Sequence, residues 1–273
     1  MNDAALVVDE LDVSFGGIHA LRGVSLSVPL GAIYGIVGPN GSGKTTVLNA
    51  VSGFVRSSGG IHVLGHSVSR WPSHRRFGLG MARTFQVPKI SHTLTVWELM
   101  RMGDHGRRDR AWWKETLAPW AAAREERETR RRVGDTLESL GLDTGLLDTR
   151  VQTLAQGIIK MLDVARALMA APTLLLLDEP TAGMNEAEIA NLAQRLQALN
   201  AAGLTIAVVE HNIRFLAGAC HIVAVLHVGR KICDGRPEEV LIRPDVIEAY
   251  LGDVDTGFAD PSHAPENQGR PAS

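Results

Sequence analysis

The sequence predicts an α/β fold with a parallel sheet, a smaller antiparallel β subdomain at the N-terminus and an inserted α-helical subdomain. Short alternating apolar runs open the chain, and compact apolar runs alternate with a helical pattern in its second half. A long polar stretch lies between these two parts. The 273 residues, 45% of them hydrophobic, can build a large core, which excludes an intrinsically disordered chain.

The first elements are strands. Antiparallel strands are predicted at residues 4–13 and 24–28, where apolar side chains alternate on either side of the turn-forming Gly16-Gly17. A buried strand follows at residues 32–37 and ends in a glycine-rich loop. A helix is predicted after this loop, because apolar residues recur there at helical spacing on one face: Val47, Leu48, Val51 and Phe54.

The middle of the chain differs in composition from the parts on either side of it. A short strand is predicted at residues 61–64, and the basic, glycine-broken segment 71–83 is expected to be a surface connection rather than core. Long polar helices are predicted from Thr93 to about Leu147, so we place a helical insertion at about residues 93–159. One apolar stripe marks the inward face of these helices: Val133, Leu137 and Leu140.

The second half of the chain alternates strands with a helix. Apolar strand-like runs occupy residues 173–177, 204–209 and 222–226. The first two are separated by a helical pattern formed by Ile189, Leu192, Leu196 and Leu199. This order predicts a parallel sheet, with the core at about residues 1–92 and 160–252. Residues 253–273 are rich in Pro, Ser, Gly and acidic residues, and we expect a disordered tail.

Composition argues against several classes of protein. With 28 Lys and Arg against 30 Asp and Glu, bulk charge favours neither nucleic acid nor anionic lipid. Cys220 and Cys233 lack CxxC spacing, which argues against a disulfide scaffold or structural zinc and favours a reduced cytosolic chain. No secretory leader and no apolar run of about 18 residues is present, so we expect the protein to work from outside the bilayer.

Two groups of basic residues are candidates for a nucleic-acid patch. Arg70, Arg75 and Arg76 are not interleaved with aromatic side chains as in proteins that bind RNA or single strands. In the helical insertion, Glu126 and Arg130 form an acid-first i,i+4 pair, which is typical of a solvated helix face. No nucleic-acid partner is expected.

One loop carries the strongest chemical signal. Residues 38–45 fit G-x-x-x-x-G-K-[ST] between a predicted strand and a predicted helix. In such a loop the backbone N–H groups point inward and the helix dipole adds positive charge, so backbone donors hold a polyphosphate. Glycines keep side chains from blocking this approach; the alternative is a glycine turn that merely joins strand to helix. The predicted nucleotide-binding residues are Gly38, Pro39, Asn40, Gly41, Ser42, Gly43, Lys44, Thr45 and Thr46.

Charged and hydroxyl groups complete this prediction. Lys44 supplies a point charge for the β- and γ-phosphates, and the Thr45 hydroxyl is placed to bind Mg²⁺. Asp178 and Glu179 end an apolar strand, at the edge where open α/β sheets bind ligands. Asp178 can hold the metal, directly or through water, and Glu179 can polarise the attacking water as a general base. Alone, an Asp-Glu pair could be an ordinary strand end; with the phosphate loop it predicts an NTPase.

From about residue 6 to residue 251 the chain resembles the ATP-binding subunits of ABC transporters, with six motifs in the family's order. Phe15 stands where an aromatic side chain stacks on adenine, GPNGSGKTT resembles the Walker A loop, and Gln86 in ARTFQ resembles the Q-loop glutamine. LLLLDEP resembles the Walker B strand, and His211 in VVEHN resembles the switch histidine. The segment from Leu154 is similar to the signature. The likeness implies a RecA-like P-loop NTPase core that uses ATP and Mg²⁺.

The resemblance also implies roles that the residues alone do not fix. Gln86 would contact Mg²⁺ and the attacking water while sensing a membrane subunit. His211 would hold the γ-phosphate and orient Glu179. Judged by themselves, Phe15 would be a core residue and His211 a histidine that ends a strand in a loop, so both roles rest on the likeness.

The signature departs from the family's usual Leu-Ser-Gly-Gly-Gln. It is formed here by Leu154, Ala155, Gln156, Gly157 and Ile158. The serine hydroxyl is therefore missing, although backbone donors at the start of the following helix can still face a phosphate. Asn185 stands where the D-loop usually has Asp. We expect an intact hydrolytic half-site in this chain and a weaker contribution to its partner's nucleotide.

Within the family, three segments look most like the importers of branched-chain amino acids and their relatives for urea and short amides: GMARTFQ, DEPTAGMN and RPDVIEAYLGD. The likeness implies a head-to-tail pair of homologous ATPases, identical or different, and two membrane permeases at the cytoplasmic face of the inner or plasma membrane. An extracytoplasmic solute-binding protein would take part indirectly. The alternatives are an export or lipid-extraction ATPase, or a soluble ABC protein that acts on ribosomes or DNA.

Overall fold

The computed structural model describes residues 4–84, 93–104 and 119–255, with the side chains of 119–123 and 251–255 left outside the description. The strands of this part are β1 Ala4–Phe15, β2 Ile18–Pro29, β3 Ile33–Val37, β4 Ser58–Val63, β5 His66–Ser67, β6 Met81–Arg83, β7 Leu174–Asp178, β8 Thr205–Val209, β9 Ile222–His227 and β10 Arg230–Gly235. The helices are α1 Lys44–Ser52, α2 Ser73–Phe77, α3 Val96–Asp104, α4 Pro119–Ser139, α5 Gln156–Leu168, α6 Glu186–Ala201, α7 Ile213–Ala219, α8 Pro237–Val240 and α9 Pro244–Asp255.

The N-terminal strands form a four-stranded antiparallel sheet in the order β2-β1-β4-β5. Strands β1 and β2 form an antiparallel hairpin around Gly16-Gly17, as predicted, and their register brings Phe15 opposite Ile18. Both strands are longer than the sequence pattern indicated. The alternation of apolar and polar residues is weak near the turn, where the Ile18 side chain is 74% exposed.

Among the described residues, the second sheet has six strands in the order β10-β9-β3-β8-β7-β6. Neighbouring strands from β9 to β6 run parallel, as predicted, and only the edge strand β10 is antiparallel. The central strands β3, β7 and β8 are buried along their whole length. Burial on both faces explains why they appear in the sequence as continuous apolar runs rather than alternating ones.

The two faces of this sheet bury two separate cores. Leu175, Leu177 and Val208 point into a core that also contains side chains of α3, α4, α5 and α6. Leu174, Leu176 and Val209 point the other way, into a core shared with α1 and the antiparallel sheet. The parallel sheet is thus the central layer, and its carboxyl-end loops emerge at one edge.

Helices α3, α4 and α5 pack against one another on the first of these cores. The predicted stripe Val133, Leu137 and Leu140 is fully buried there. An ion pair also joins α3 to α4, with Arg132 Nη2 lying 2.9 Å from Asp104 Oδ2. Helix α5 runs without a break past residue 159, where the helical insertion was predicted to end. The division of the chain into a core and an insertion remains a prediction.

Segment 71–83 was wrongly expected to be a surface connection. Met81 and Ala82 are buried in β6, which pairs with β7 at the sheet edge. Arg76 is also buried, because its Nη1 donates to the carbonyl oxygens of Ala50 and Val51 at the end of α1. Two basic residues of this segment, Arg76 and Arg83, are therefore buried, whereas Arg75 is exposed.

Two predicted boundaries are also wrong. Helix α1 ends at Ser52, where Gly53 adopts a left-handed conformation, so Phe54 lies beyond the helix and is 46% exposed. Helix α9 extends to Asp255, so the predicted tail from residue 253 begins inside a helix. The remaining residues of that predicted tail, 256–273, lie outside the described part of the chain.

The packing predicts unequal costs for two leucine truncations. Leu137 is fully buried among the helices, whereas Leu30 is 57% exposed. Leu137→Ala should lower the free energy of unfolding by about 2–5 kcal/mol because it leaves a cavity. Leu30→Ala should change it by less than about 0.5 kcal/mol. Urea denaturation followed by circular dichroism measures both; equal losses would contradict the packing described.

Candidate active site

The phosphate-binding loop connects β3 to α1, which begins at Lys44. Gly38 and Gly43 have φ angles of 156° and 102°, a region that favours glycine. A Cβ on Gly38 would lie 2.0 Å from the carbonyl oxygen of Leu226, and one on Gly43 would lie 2.9 Å from that of Ala20. These glycines are needed because the loop presses against β9 and β2, not only to admit a ligand as the sequence indicated.

Lys44 is buried, and its Nζ donates to the carbonyl oxygens of Gly38 and Pro39 at 2.8 Å each. The ammonium group therefore lies inside the curve of the loop. The first N–H groups of α1 lack partners within the helix and give this end a partial positive charge. Loop and helix together present the arrangement that binds phosphate groups.

Thr45 and Asp178 meet at the carboxyl edge of the sheet. The Thr45 hydroxyl donates to Asp178 Oδ1 over 3.3 Å. A hydroxyl and a carboxylate beside a phosphate-binding loop fit Mg²⁺, which is usually held by one or two carboxylates together with substrate phosphates. No group of three or more His, Cys, Asp or Glu side chains in the described ranges could hold a metal by itself.

Glu179 follows Asp178 in an unusual backbone conformation, with φ at 48°. A non-glycine residue in this left-handed region is strained, and such strain is concentrated at functional sites. Two contacts hold it there: its N–H donates to Val209 O over 2.9 Å, and Lys160 Nζ donates to its carbonyl oxygen over 3.2 Å. Lys160 belongs to α5, so the helix that carries the signature contacts the backbone of the predicted general base.

His211 lies in the loop after β8 with its side chain 57% exposed. Its neighbour Glu210 is fully buried, a residue that the sequence gave no reason to single out. Glu210 Oε1 accepts from the N–H and hydroxyl of Thr181 at 2.8 and 2.6 Å. Oε2 accepts from the N–H groups of His211 and Asn212 at 2.9 and 3.3 Å. One carboxylate thus joins the loop after Glu179 to the loop of His211.

The signature residues form the start of α5. Gln156 is the first helical residue, and Ala155 is an N-cap whose side chain accepts no hydrogen bond. Ile158 packs against the core, as Leu154 does, which accounts for an apolar residue at this position. Gly157 is buried against Glu188, whose Oε1 would lie 2.6 Å from a Cβ there. The first N–H groups of α5 lack helical acceptors, as at any helix start.

Asn185 is exposed and caps α6. Its Oδ1 accepts from the N–H of Glu188 over 3.0 Å, while Glu188 Oε2 accepts from its N–H over 2.9 Å. This capping box gives Asn185 a local structural role. Its expected D-loop role remains a prediction, as does adenine stacking by Phe15, which is 50% exposed at the end of β1. Gln86 lies outside the described residues.

The end of β6 contributes two further contacts that the sequence did not reveal. Arg83 Nη2 forms an ion pair with Asp178 Oδ2 at 2.9 Å, and Thr84 Oγ1 accepts from the Asp178 N–H over 3.2 Å. Burial lowers the pKa of Arg83 and the hydrogen bond to Asp178 opposes that shift, while an arginine remains charged in any case. Since β6 was not predicted, no sequence signal placed these residues beside the carboxylate.

The chain matches two known families. Residues 21–182 match the family described as ABC transporter. Residues 230–256, which include β10 and α9, match the family described as branched-chain amino acid ATP-binding cassette transporter. No helix in the described part of the chain is long and apolar enough to cross a membrane.

Curated relatives match over nearly the full length. The high-affinity branched-chain amino acid transport ATP-binding protein BraF of Pseudomonas aeruginosa is 33% identical over 93% of this chain and 100% of its own length. The probable branched-chain amino acid transport ATP-binding protein LivG of Archaeoglobus fulgidus is 35% identical over 92% of this chain and 96% of its own.

Solved structures share the fold. A nucleotide-free ATP-binding cassette from an ABC transporter superposes with a TM-score of 0.80 at 28% identity, covering 90% of this chain and 98% of that one. An ATP-binding cassette in its ADP conformation gives a TM-score of 0.80 at 29% identity, covering 91% and 99%.

The contacts of Glu210 predict a cost for an isosteric change. In Glu210→Gln an amide NH₂ replaces one carboxylate oxygen and faces N–H donors, so buried donors lose their acceptor. The free energy of unfolding should fall by about 1–3 kcal/mol. The matched control is Glu186→Gln, at an exposed position of α6 where Glu186 pairs with Arg214, and the cost should stay below about 0.5 kcal/mol. Urea denaturation distinguishes the two; equal effects would contradict the buried network.

Proposed function

The chain belongs to the ABC transporter family of ATP-binding proteins, and we propose that it is the ATP-hydrolysing subunit of an importer for branched-chain amino acids or related small solutes. The observation that carries the catalytic half of this proposal is the meeting of Lys44, Thr45, Asp178 and Glu179 at one sheet edge. The solute class rests on the match of residues 230–256 and on the names of the relatives.

Nucleotide binding is assigned to the loop between β3 and α1. The N–H groups at the start of α1 would hold the phosphates, and Lys44 would turn from the loop carbonyls toward the β- and γ-phosphates. Phe15 would stack on adenine from its exposed position at the end of β1. Thr45 and Asp178 would bind Mg²⁺, which neutralises phosphate charge when bound.

Hydrolysis is assigned to Glu179 as general base for the attacking water. The strained backbone of Glu179, fixed by Val209 and Lys160, would keep its carboxylate in one place. His211 would contact the γ-phosphate and orient Glu179, in a loop whose position Glu210 fixes. Gln86 would contact the metal and the water.

A second ATPase subunit is assigned to the face that carries the N-terminus of α5. In a head-to-tail pair, the N-terminus of α5 would face the nucleotide of the partner. Here the phosphate would be met by backbone N–H groups alone, since Ala155 has no hydroxyl and Ile158 is packed on the core. We therefore propose that this chain pairs with a homologous subunit and completes its partner's site weakly. Nucleotide would drive closure, and loss of the γ-phosphate would reopen the pair.

The permease contact is assigned to the junction of the core and the helical insertion. A cavity of about 470 Å³ lies there between β6 and helices α3 and α5. Its lining includes the exposed side chain of Met102 and the buried strand residue Met81. We propose that two membrane permeases dock at this junction, on the cytoplasmic face of the membrane, and that an extracytoplasmic protein supplies the solute.

The catalytic proposal makes a sharp prediction for Glu179→Gln. The amide cannot accept a proton from water, so ATP turnover in the assembled complex should fall at least about 100-fold while ATP binding persists. Phosphate release measures turnover, and a fluorescent ATP analogue measures binding. Glu186→Gln is the control with the same chemical change at an exposed side chain, and it should turn over normally. Unchanged turnover in Glu179→Gln would contradict the proposal.

The transport proposal is tested in cells that lack this chain. Uptake of radiolabelled leucine, isoleucine and valine should fall, and the unmodified chain or Glu186→Gln should restore it where Glu179→Gln does not. Unaltered uptake of all three, with reduced uptake of urea or an amide, would reassign the solute. Capture of Glu179→Gln from native membranes with Mg-ATP should recover permeases; ribosomal or DNA-repair proteins alone would overturn the transport assignment.

A further inference from the structure

Arg83 and Asp178 form a buried ion pair at the end of two adjacent strands. Their side chains are 4% and 3% exposed, and the Nη2–Oδ2 distance is 2.9 Å. Strands β6 and β7 are parallel neighbours, with Arg83 opposite Leu176, so the arginine side chain reaches along the sheet edge to the last residue of β7. A pair this dry is costly to build and strongly destabilising to break.

The two oxygens of Asp178 have different surroundings. Oδ2 accepts from Arg83, whereas Oδ1 accepts from Thr45 on the side of the phosphate loop. The Asp178 N–H is held as well, by Thr84 Oγ1. The end of β6 therefore contacts both the backbone and the far oxygen of this carboxylate, and leaves the near oxygen facing the position assigned to the metal.

Arg83 is itself anchored on the other side. Its Nη1 donates to the hydroxyl of Ser52, the last residue of α1, over 3.0 Å. Its guanidinium also lies 5.7 Å from the ring centroid of Phe54. The planar group thus connects the end of the helix that begins with Lys44 and Thr45 to the carboxylate at the end of β7.

We infer that Arg83 is a positioning residue for the metal site, which acts by holding Asp178 with Oδ1 turned toward Thr45. This inference rests on the proposed function, because it concerns the metal position assigned there. A carboxylate free to rotate could present either oxygen, or point away, and would bind the metal less tightly. The planar guanidinium, fixed by Ser52 and Asp178 at once, removes that freedom; a lysine ammonium lacks the two-sided geometry.

The test measures metal affinity directly in the full-length chain. Mn²⁺ replaces Mg²⁺, the non-hydrolysable analogue AMP-PNP replaces ATP, and electron paramagnetic resonance counts free Mn²⁺. Arg83→Lys and Arg83→Gln should each weaken Mn²⁺ binding about 10–100-fold, the range typical of partners that orient a metal ligand. AMP-PNP affinity without divalent cation should not change. Arg83→Lys keeps the charge and carries the test if Arg83→Gln does not fold.

The matched controls are Arg132→Lys and Arg132→Gln, which disrupt a second Arg–Asp pair, with Asp104, among the helices. They should lower stability without changing Mn²⁺ affinity. Tighter Mn²⁺ binding in Arg83→Gln would show that the guanidinium acts as a competing cation and would overturn the inference. Unchanged Mn²⁺ affinity in both Arg83 variants, or equal losses in the Arg132 variants, would also overturn it. If the unmodified chain bound no Mn²⁺ with AMP-PNP, the proposed function would fail first.

Discussion

A buried carboxylate at the end of one strand is the constraint on which the rest of the structure depends. Asp178 is held in a dry position by three residues from two other parts of the chain: Thr45 of α1, and Arg83 and Thr84 at the end of β6. A charge buried this deeply is tolerated only when it is paired and hydrogen-bonded. The parallel sheet meets this requirement because it brings the ends of β3, β6, β7 and β8 to one edge.

The same edge explains the arrangement of the loops beyond the strands. The backbone N–H of Glu179 donates to the carbonyl oxygen of Val209, the last residue of β8. The backbone N–H of Glu210 donates to the carbonyl oxygen of Ile36 in β3. Each loop is thus hydrogen-bonded to the strand adjacent to the one that it follows. Glu210 then joins the loops after β7 and β8 through four hydrogen bonds. The carboxylate of Glu210 therefore holds the loop that follows Glu179 and the loop of His211 in a fixed position relative to each other.

Much of this architecture could be predicted from the sequence, and the reasons are physical. The strands β3, β7 and β8 are buried on both faces, so each is a continuous apolar run. The phosphate loop has the glycine, lysine and threonine spacing that phosphate binding requires, and few other structures need that spacing. Strand β6 was missed because it has only three residues and ends in an arginine, and its neighbour Arg76 made the segment look exposed.

The contacts around the candidate site were less accessible to sequence reasoning. Arg83 and Asp178 are 95 residues apart, and Thr181 and Glu210 are 29 apart, so only the fold brings them together. Lys160 follows a degenerate signature, and no local pattern shows that it contacts Glu179. Even the glycines of the loop were predicted for an incomplete reason, because their tight contacts with Ala20 and Leu226 depend on two strands outside the loop, β2 and β9.

The central claim is that nucleotide and metal meet where Thr45 and Asp178 converge. Anomalous diffraction from crystals of the full-length chain grown with Mn²⁺ and AMP-PNP tests it most directly. The account predicts a manganese peak bonded to Thr45 Oγ1, with Asp178 Oδ1 in its first or second coordination sphere and the phosphates against the start of α1. A peak with neither side chain nearby, or phosphates bound away from Lys44, would contradict it.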